Sequence, residues 1–260
     1  MIYLKTDEEI ELMRISNLLV ARTLAEVGKN VKPGVTTLQL DKIAEEFIRS
    51  NGGIPSFLGY SGFPNSICTS VNEEIVHGIP SDRVLQEGDV ISVDCGALVN
   101  GFHGDSCYTF CVGEVSQEVR NLLKTTKEAL YKGIENAKVG KRLGDIGCSV
   151  QSHCEERGYS VVREFVGHGI GHDMHEEPAV PNYGRGGYGI MLKDGMVIAI
   201  EPMICMGARN LCILPNNWTA VTLDGKFAAH YEHTVAIRKG KTDILSSFKF
   251  VEEVLGDKAI

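Results

Sequence analysis

The stretch from position 90 to position 112, VISVDCGALVNGFHGDSCYTFCV, is typical of a long β-hairpin. Asn100-Gly101 in its middle is a strong two-residue turn signal. The residues on both sides of that turn are mostly apolar, aromatic or β-branched, as strand residues are. The sequence therefore predicts two antiparallel strands whose register is fixed by the turn.

This register brings two carboxylates close together. Asp94 faces Cys107 and Asp105 faces Gly96, so the two aspartates become diagonal neighbours on one face, roughly 7–8 Å apart at the backbone. Two carboxylates aimed at one point repel each other unless a proton or a cation lies between them. Two solvated aspartates on an edge hairpin remain the alternative, although the apolar run before Asp94 is typical of a buried strand.

A second stretch repeats this plan in the later half of the chain. Residues 87–94 read EGDVISVD and residues 194–201 read DGMVIAIE. Each has a glycine, an apolar strand and a carboxylate at the strand's end. Asp94 and Glu201 therefore become candidates for equivalent positions in one shared site.

The helical segments repeat as well. Thr6-x-x-Glu9 and Thr36-x-x-Gln39 are capping boxes, which predict helices starting after Thr6 and Thr36. The shift that aligns residues 87–94 with 194–201 is nearly the same as one that aligns the second helix with a later segment. That shift places Gly34 on Gly140, Leu40 on Ile146, Ala44 on Val150, Ile48 on Cys154 and Gly52 on Gly158. We expect a single domain of residues 1–260, made of two related α+β halves, roughly 1–115 and 116–260, about a pseudo-two-fold axis.

Four carboxylates at apolar strand positions favour a metal site. Glu201 ends the run from 196 to 200, and Glu232 lies in the strand-like stretch from 228 to 237. Buried carboxylates are costly without partners, and one shared cation is a more economical explanation than four separate ion pairs. Oxygen-rich ligation with one imidazole suits Mn, Fe, Co or Zn in a paired site.

The imidazole candidates cluster in residues 166–178, VGHGIGHDMHEEP. His168-x-x-x-His172 has the spacing of a zinc-protease helix, but it lacks the glutamate after the first histidine and contains helix-breaking glycines. Glycines on both sides of His168 indicate instead a loop in which backbone segments approach closely. The remaining histidines are interpreted as surface or hydrogen-bonded core side chains: His103, His153, His172, His230 and His233.

Composition excludes several classes of protein. The chain has 34 acidic and 26 basic residues, a net charge of −8, which argues against direct nucleic-acid binding. No apolar run approaches the roughly 18 residues of a transmembrane helix, and the first residues do not form a secretory signal. Its eight cysteines include no CxxC pair. We expect a cytoplasmic protein with reduced thiols and no membrane contact.

These motifs together resemble the type I methionine aminopeptidases, metallopeptidases of the pita-bread fold. The resemblance covers nearly the whole chain and is carried by NEEIVHGIP (72–80), VDCGA (93–97), GFHGD (101–105), GHGIG (167–171), HEEP (175–178), IEPM (200–203) and YEHT (231–234). It implies an α+β pita-bread fold with two pseudo-symmetric halves and a central curved antiparallel sheet backed by helices.

The resemblance also implies the site. The ligands of two divalent metal ions would be Asp94, Asp105, His168, Glu201 and Glu232, with Asp105 and Glu232 bridging. In the family, a water activated by the metal pair attacks the first peptide carbonyl. Glu201 would accept that water's proton, His175 would stabilise the developing charge, and His77 would hydrogen-bond the scissile amide.

A methionine pocket is implied on the same grounds. It maps onto Phe57, Tyr60, Phe63, Cys68, Met174 and Trp218, the only tryptophan. Met174 stands where the family usually has Phe, and Phe57 where some members have Cys. Both residues are apolar, so an apolar pocket is still expected although its shape is altered.

Other classes of enzyme and binding protein fit this sequence less well. Type II enzymes carry a large insertion between the last two ligands, but only the short segment 202–231 separates Glu201 from Glu232. The proline-directed aminopeptidases and dipeptidases share the five ligands and usually add an N-terminal domain, for which this chain has no room. A non-catalytic relative that binds peptides or ribosomes would lose ligands. A di-iron redox protein would need helical Glu-x-x-His pairs.

The expected substrate is the N-terminus of a nascent polypeptide with a small second residue. Ribosome contact is a hypothesis that follows from this substrate. No long exposed apolar stripe demands a dimer, so we expect a monomer. The resemblance is to the short bacterial form.

Overall fold

The helices begin where the sequence supplies caps. In the computed structural model, which describes all 260 residues, Thr6 and Thr36 cap the first two helices in complete capping boxes with Glu9 and Gln39. The helices are α1 (Asp7–Gly28), α2 (Thr37–Ser50), α3 (Gln117–Asn136), α4 (Leu143–Glu155) and α5 (Lys249–Leu255), with 3₁₀ turns at Tyr60–Gly62 and Gly256–Lys258. None of them is both long and apolar enough to span a membrane.

Apart from the two strands of the long hairpin, the strands are short, and all pairs are antiparallel. They are β1 (Ile54–Pro55), β2 (Ile67–Val71), β3 (Glu74–Val76), β4 (Val90–Val99), β5 (Phe102–Cys111), β6 (Ser160–Val161), β7 (Gly167–Gly169), β8 (Glu176–Val180), β9 (Val197–Ile200), β10 (Met203–Cys205), β11 (Leu211–Ile213), β12 (Ala220–Thr222), β13 (Ala228–His230), β14 (His233–Arg238) and β15 (Lys241–Ile244).

The strands fall into four hydrogen-bonded groups. In the first, β4 pairs with β5 on one side and with β1 and β2 on the other. The second follows the order β15-β14-β9-β7-β8, and two three-stranded groups, β13-β10-β6 and β11-β12-β3, complete the structure. The central sheet expected from the sequence thus consists of several groups of strands. The chain passes between two of these groups at Glu201-Pro202 and again at Tyr231-Glu232.

The predicted hairpin is confirmed in both turn and register. Asn100 and Gly101 have φ values of 53° and 80°, the left-handed conformation that a two-residue hairpin turn requires. Asp94 pairs with Cys107, and Asp105 pairs with Gly96.

Helix α1 lies directly against this hairpin. A Cβ atom on Gly104 would come within 2.5 Å of the Asn17 backbone nitrogen, so only glycine allows this contact. The amide of Asp105 donates a hydrogen bond to Oδ1 of Asn17 at 3.3 Å. The close packing of α1 therefore fixes the backbone that carries Asp105.

Two pairs of elements are separated by nearly the same number of residues. Helices α2 and α4 begin at Thr37 and Leu143, and strands β4 and β9 begin at Val90 and Val197, so the offset between the halves is almost the same for both pairs. The glycines that precede the two helices, at positions 34 and 140, have φ values of 89° and 86°.

One predicted strand is wrong. The stretch from 228 to 237 is not continuous, because Tyr231 and Glu232 leave β13 before β14 begins. Strand β13 pairs with β10, whereas β14 pairs with β9, so the chain crosses from one group of strands to another. The facing chain is interrupted at Glu201-Pro202, where proline has no N–H to continue the ladder. The two glutamates therefore lie at the same junction.

A buried ion pair joins the N-terminal segment to strand β8. The Nζ atom of Lys5 bonds Oε2 of Glu176, and the two side chains are only 4% and 5% exposed. The amide of Lys5 also donates to the carbonyl of Gly195 at 2.7 Å. Glu176 follows His175, so this pair anchors the segment that carries His175.

We expect Lys5→Met to destabilise the protein strongly, because it leaves the Glu176 carboxylate buried without a partner. Breaking a buried pair by removing one member costs about 3–5 kcal/mol. The double variant Lys5→Met/Glu176→Leu should lose much less than the sum of the two single losses. Denaturant unfolding of all three variants measures this coupling.

The matched control is the exposed pair Lys249–Glu253, whose side chains are 78% and 61% exposed. Lys249→Met should leave the free energy of unfolding nearly unchanged. If the double variant loses as much free energy of unfolding as the two single variants together, the ion-pair explanation is contradicted.

Candidate metal centre and substrate cavity

A single cavity of about 180 Å³ collects the predicted site residues. Twelve of the thirteen line it: Phe57, Tyr60, Phe63, Cys68, His77, Asp94, Asp105, His168, His175, Glu201, Trp218 and Glu232. The exception is Met174, which is buried behind the wall in the apolar cluster that includes Phe57 and Phe63. Met174 therefore supports the cavity wall rather than forming its surface.

Asp105 and Glu232 are joined through hydrogen bonds between strand β5 and residues 232–234. The amide of Glu232 donates to the carbonyl of Cys107 at 3.0 Å, and Oγ of Ser106 donates to the carbonyl of Glu232 at 2.7 Å. Oγ1 of Thr234 donates to the carbonyl of Asp105 at 2.8 Å. Strand β5 thus holds the 232–234 segment beside it, and the two carboxylates face one point.

His168 completes a cluster with these two carboxylates. One ligand atom from each of Asp105, His168 and Glu232 lies within 4.8 Å of the others. Nδ1 of His168 bonds the carbonyl of Gly169 at 2.9 Å, and a carbonyl can only accept, so Nδ1 carries the proton. In the neutral ring this leaves the lone pair on Nε2, which lies 3.5 Å from Oδ2 of Asp105 and 3.6 Å from Oε1 of Glu201.

The close backbone approach predicted around His168 is confirmed, but the segment is a strand and not a loop. A Cβ atom on Gly167 would come within 2.3 Å of the Ala199 carbonyl oxygen, and one on Gly169 within 2.3 Å of the Glu177 carbonyl oxygen. Strand β7 therefore lies between β8 and β9 with no room for side chains beside His168.

The carboxylates of this site are short of partners. Buried Oδ1 of Asp94, Oδ1 of Asp105 and Oε1 of Glu232 have no hydrogen-bond partner. Burial and then the neighbouring carboxylates raise the pKa of Asp94 and Glu232 well above the ordinary values. Burial also raises the pKa of Asp105, against the opposing effect of His168. Unpartnered, mutually repelling oxygens with one imidazole fit the donor set of a divalent cation.

Glu201 behaves differently from the other three carboxylates. Burial alone would raise its pKa, but the imidazoles of His230 and His168 outweigh that effect and lower it. The carboxylate of Glu201 is therefore ionised at neutral pH. That state suits a group that is to accept a proton.

His77 and His175 lie at the border between this cluster and the apolar side of the cavity. The His77 ring packs edge-on against Phe165 at 5.2 Å and Trp218 at 6.3 Å, and burial lowers its pKa. Nδ1 of His175 lies 2.9 Å from the hydroxyl of Tyr60. Desolvation and the nearby His168 lower the pKa of His175 to about 4, so both histidines are neutral at pH 7.

The opposite wall is apolar. Phe57, Phe63 and Cys68 are at most 8% exposed, and the Phe63 and Trp218 rings meet edge-to-face at 5.1 Å. Burial, and then the charges of Asp94 and Asp105, raise the pKa of the Cys68 thiol well above its ordinary value. Cys68 is therefore a neutral wall residue and not a thiolate nucleophile.

Sequence reasoning missed two residues of the site. Ser61, with φ of 48°, lines the cavity beside Tyr60, and no sequence signal marks it. Nε2 of His230 is buried without a hydrogen-bond partner and lies 3.5 Å from Oε2 of Glu201. The interpretation of His230 as a surface or hydrogen-bonded core histidine is therefore wrong. No local sequence pattern identifies it, because Glu201 is distant from His230 in the chain.

The other four histidines have ordinary partners, as predicted. His103 bonds the Ser56 hydroxyl, His153 bonds Glu128, and His172 bonds the carbonyl of Gly101. His233 bonds the Ser246 hydroxyl.

Comparison with known proteins identifies the family. The model of metallopeptidase family M24 matches residues 11–239. A methionine aminopeptidase of Clostridium acetobutylicum is 56% identical over 247 residues, which are 95% of this chain and 99% of that protein. The crystal structure of methionine aminopeptidase from Rickettsia prowazekii has a TM-score of 0.94 at 40% identity and covers 95% of this chain and 100% of its own. The chain therefore belongs to metallopeptidase family M24 and, within it, to the methionine aminopeptidases.

These matches confirm the predicted α+β pita-bread fold class and the resemblance on which it was based. The prolidase from Pyrococcus horikoshii OT3 has a TM-score of 0.75 at 21% identity, and the match covers 63% of that chain. That similarity shows a shared fold alone.

We expect Glu232→Gln to stabilise the metal-free protein and to weaken its response to metal. The raised pKa of Glu232 means that ionisation destabilises the fold as the pH rises above the pKa of the unfolded carboxyl group. The gain in thermal midpoint should therefore be larger at pH 8 than at pH 5. For the wild type, Mn²⁺ at 100 times its dissociation constant should add about 2.7 kcal/mol to the free energy of unfolding.

Calorimetry of metal-free and Mn²⁺-loaded protein measures both effects. Asp82→Asn, at an exposed position outside the cavity, is the control and should change neither. A Glu232→Gln variant that gains as much stability from Mn²⁺ as the wild type would show that Glu232 is not a ligand.

Proposed function

We propose that this protein removes the N-terminal methionine from peptides and newly made proteins, favouring a small second residue, by metal-dependent hydrolysis. The observation that carries the proposal is the cavity with two unlike walls. One wall holds carboxylates and an imidazole, and the other is apolar. Relatives named methionine aminopeptidase, at 40–56% identity over nearly the whole chain, support the same activity.

The cavity's size limits what it can hold. A cavity of about 180 Å³ is large enough for one side chain of the substrate. Methionine fits the wall of Phe57, Phe63, Cys68 and Trp218, where matched methylenes are worth about 1–3 kcal/mol of discrimination.

We assign Asp94, Asp105, His168, Glu201 and Glu232 as the residues that would hold two divalent ions, Co, Mn, Fe or Zn. Asp105, His168 and Glu232 lie together in one three-residue cluster, which supports this assignment. Bound there, divalent cations would lower the pKa of a water molecule and polarise the peptide carbonyl.

The residues around the ions then have separate tasks. Glu201, ionised at neutral pH, accepts a proton from the attacking water. When the Tyr60 hydroxyl donates to Nδ1 of His175, Nε2 carries the ring's proton and can donate to the developing oxyanion. Neutral His77, beside Trp218, is placed to hydrogen-bond the scissile amide.

The activity test uses protein stripped of metal by chelation and supplied with Mn²⁺, Co²⁺, Fe²⁺ or Zn²⁺ one at a time. With at least one metal, methionine should be released from Met-Ala-Ser. Ala-Pro-Ala and N-acetylated Met-Ala-Ser should stay intact, because the first lacks methionine and the second lacks a free amine. Chromatography of the products measures release.

Asp105→Ala should abolish turnover, and Asp82→Ala should leave it unchanged. Cleavage of Ala-Pro-Ala alone would replace the proposal with a proline-directed peptidase. No cleavage of either peptide with any of the four metals would leave a non-catalytic peptide-binding protein.

A nascent chain as substrate leads to two further proposals about the protein in the cell. We infer a cytoplasmic monomer of one catalytic domain, and a transient contact with the ribosome near the emerging N-terminus. The net charge of −8 adds no attraction to RNA. Co-sedimentation with washed ribosomes tests the contact, and protein that stays entirely in the supernatant at low salt would contradict it.

A further inference from the structure

His230 stands out as a buried polar group that the fold does not explain. It ends strand β13, is 1% exposed, and its Nε2 has no hydrogen-bond partner. Leaving such an atom buried without a partner destabilises the fold. A histidine at this position therefore needs a reason beyond packing.

The backbone of His230 is fixed beside the site. The Thr109 hydroxyl donates to the His230 carbonyl at 2.7 Å and lies 3.1 Å from the His230 amide. This connection between β5 and β13 fixes the point from which the His230 side chain extends. The nearest charged group to Nε2 in the structure is Oε2 of Glu201, at 3.5 Å.

Glu201 is bracketed by two imidazoles. His168 lies 3.6 Å from Oε1, and His230 lies 3.5 Å from Oε2. The backbone of Glu201 is also fixed, because Nδ2 of Asn182 donates to its carbonyl at 2.9 Å. Each carboxylate oxygen of Glu201 therefore faces one imidazole, His168 on one side and His230 on the other.

We propose that His230 is a positioning residue for Glu201. Its Nε2–H donates to Oε2, so that Glu201 presents Oε1 to the cations and to the water whose proton it takes. Groups that hold a ligand's second atom in this way typically change metal affinity or activity about 10–100-fold when removed. The inference rests on the proposed function only for its effect on turnover, since its effect on metal binding can be measured without substrate.

The test compares His230→Leu, which keeps the volume and removes the donor, with His230→Gln, which keeps an N–H donor. His230→Met replaces the leucine variant if that variant does not fold. His153→Leu is the matched control, because His153 bonds Glu128 on helix α3, outside the cavity. Thermal midpoints of the metal-free proteins confirm that each variant is folded.

Mn²⁺ titration of metal-free protein by calorimetry is the first readout. His230→Leu should weaken Mn²⁺ binding about 10–100-fold. His230→Gln and His153→Leu should bind like the wild type. The second readout is cleavage of Met-Ala-Ser at saturating Mn²⁺, where His230→Leu should lower kcat with little change in KM, because Glu201 and not the apolar wall is disturbed.

Two results would overturn the proposal. Wild-type Mn²⁺ affinity and kcat in His230→Leu would leave His230 a packing residue. If His230→Gln loses as much Mn²⁺ affinity as His230→Leu, then His230 is itself a metal ligand. If the wild type binds Mn²⁺ but cleaves no peptide, the proposed function fails while the Mn²⁺ comparison among variants still decides the role of His230.

Discussion

Mutual repulsion among buried carboxylates is the constraint on which the rest of this structure depends. Asp94, Asp105, Glu201 and Glu232 face one small cavity, and three of them keep a buried oxygen without a hydrogen bond. No lysine or arginine lines the cavity, so imidazoles alone offset the charge. Such an arrangement costs stability unless cations complete it. We interpret the fold as the framework that holds these groups together against that cost.

Contacts between separate groups of strands bring the four carboxylates together. Asp94 and Asp105 come from one hairpin whose register is set by a two-residue turn, and helix α1 fixes Asp105 through the glycine contact. Glu201 and Glu232 lie between strands, at the place where two groups of strands separate. Hydrogen bonds from β5 to the 232–234 segment then connect the pairs. Stability and site geometry are thus determined by the same contacts.

Sequence patterns with short-range causes predicted much of this correctly. The capping boxes, the hairpin register and the repeat each depend on residues close together in the chain or on a fixed shift, and all three are found in the structure. What depends on long-range packing was not predictable. The break at Tyr231–Glu232 lies where the chain passes from one group of strands to another. Met174 is packed behind the cavity wall with Phe57, which forms part of the wall's surface. The role of His230 depends on its distance of 3.5 Å from Glu201.

We propose that these carboxylates and His168 hold paired cations. The most direct test is anomalous diffraction from crystals of the metal-free protein soaked in Mn²⁺. We expect two adjacent peaks inside the cavity, with the cluster of Asp105, His168 and Glu232 in contact with at least one of them. A cavity without a peak at saturating Mn²⁺, or Mn²⁺ bound only elsewhere on the molecule, would contradict it.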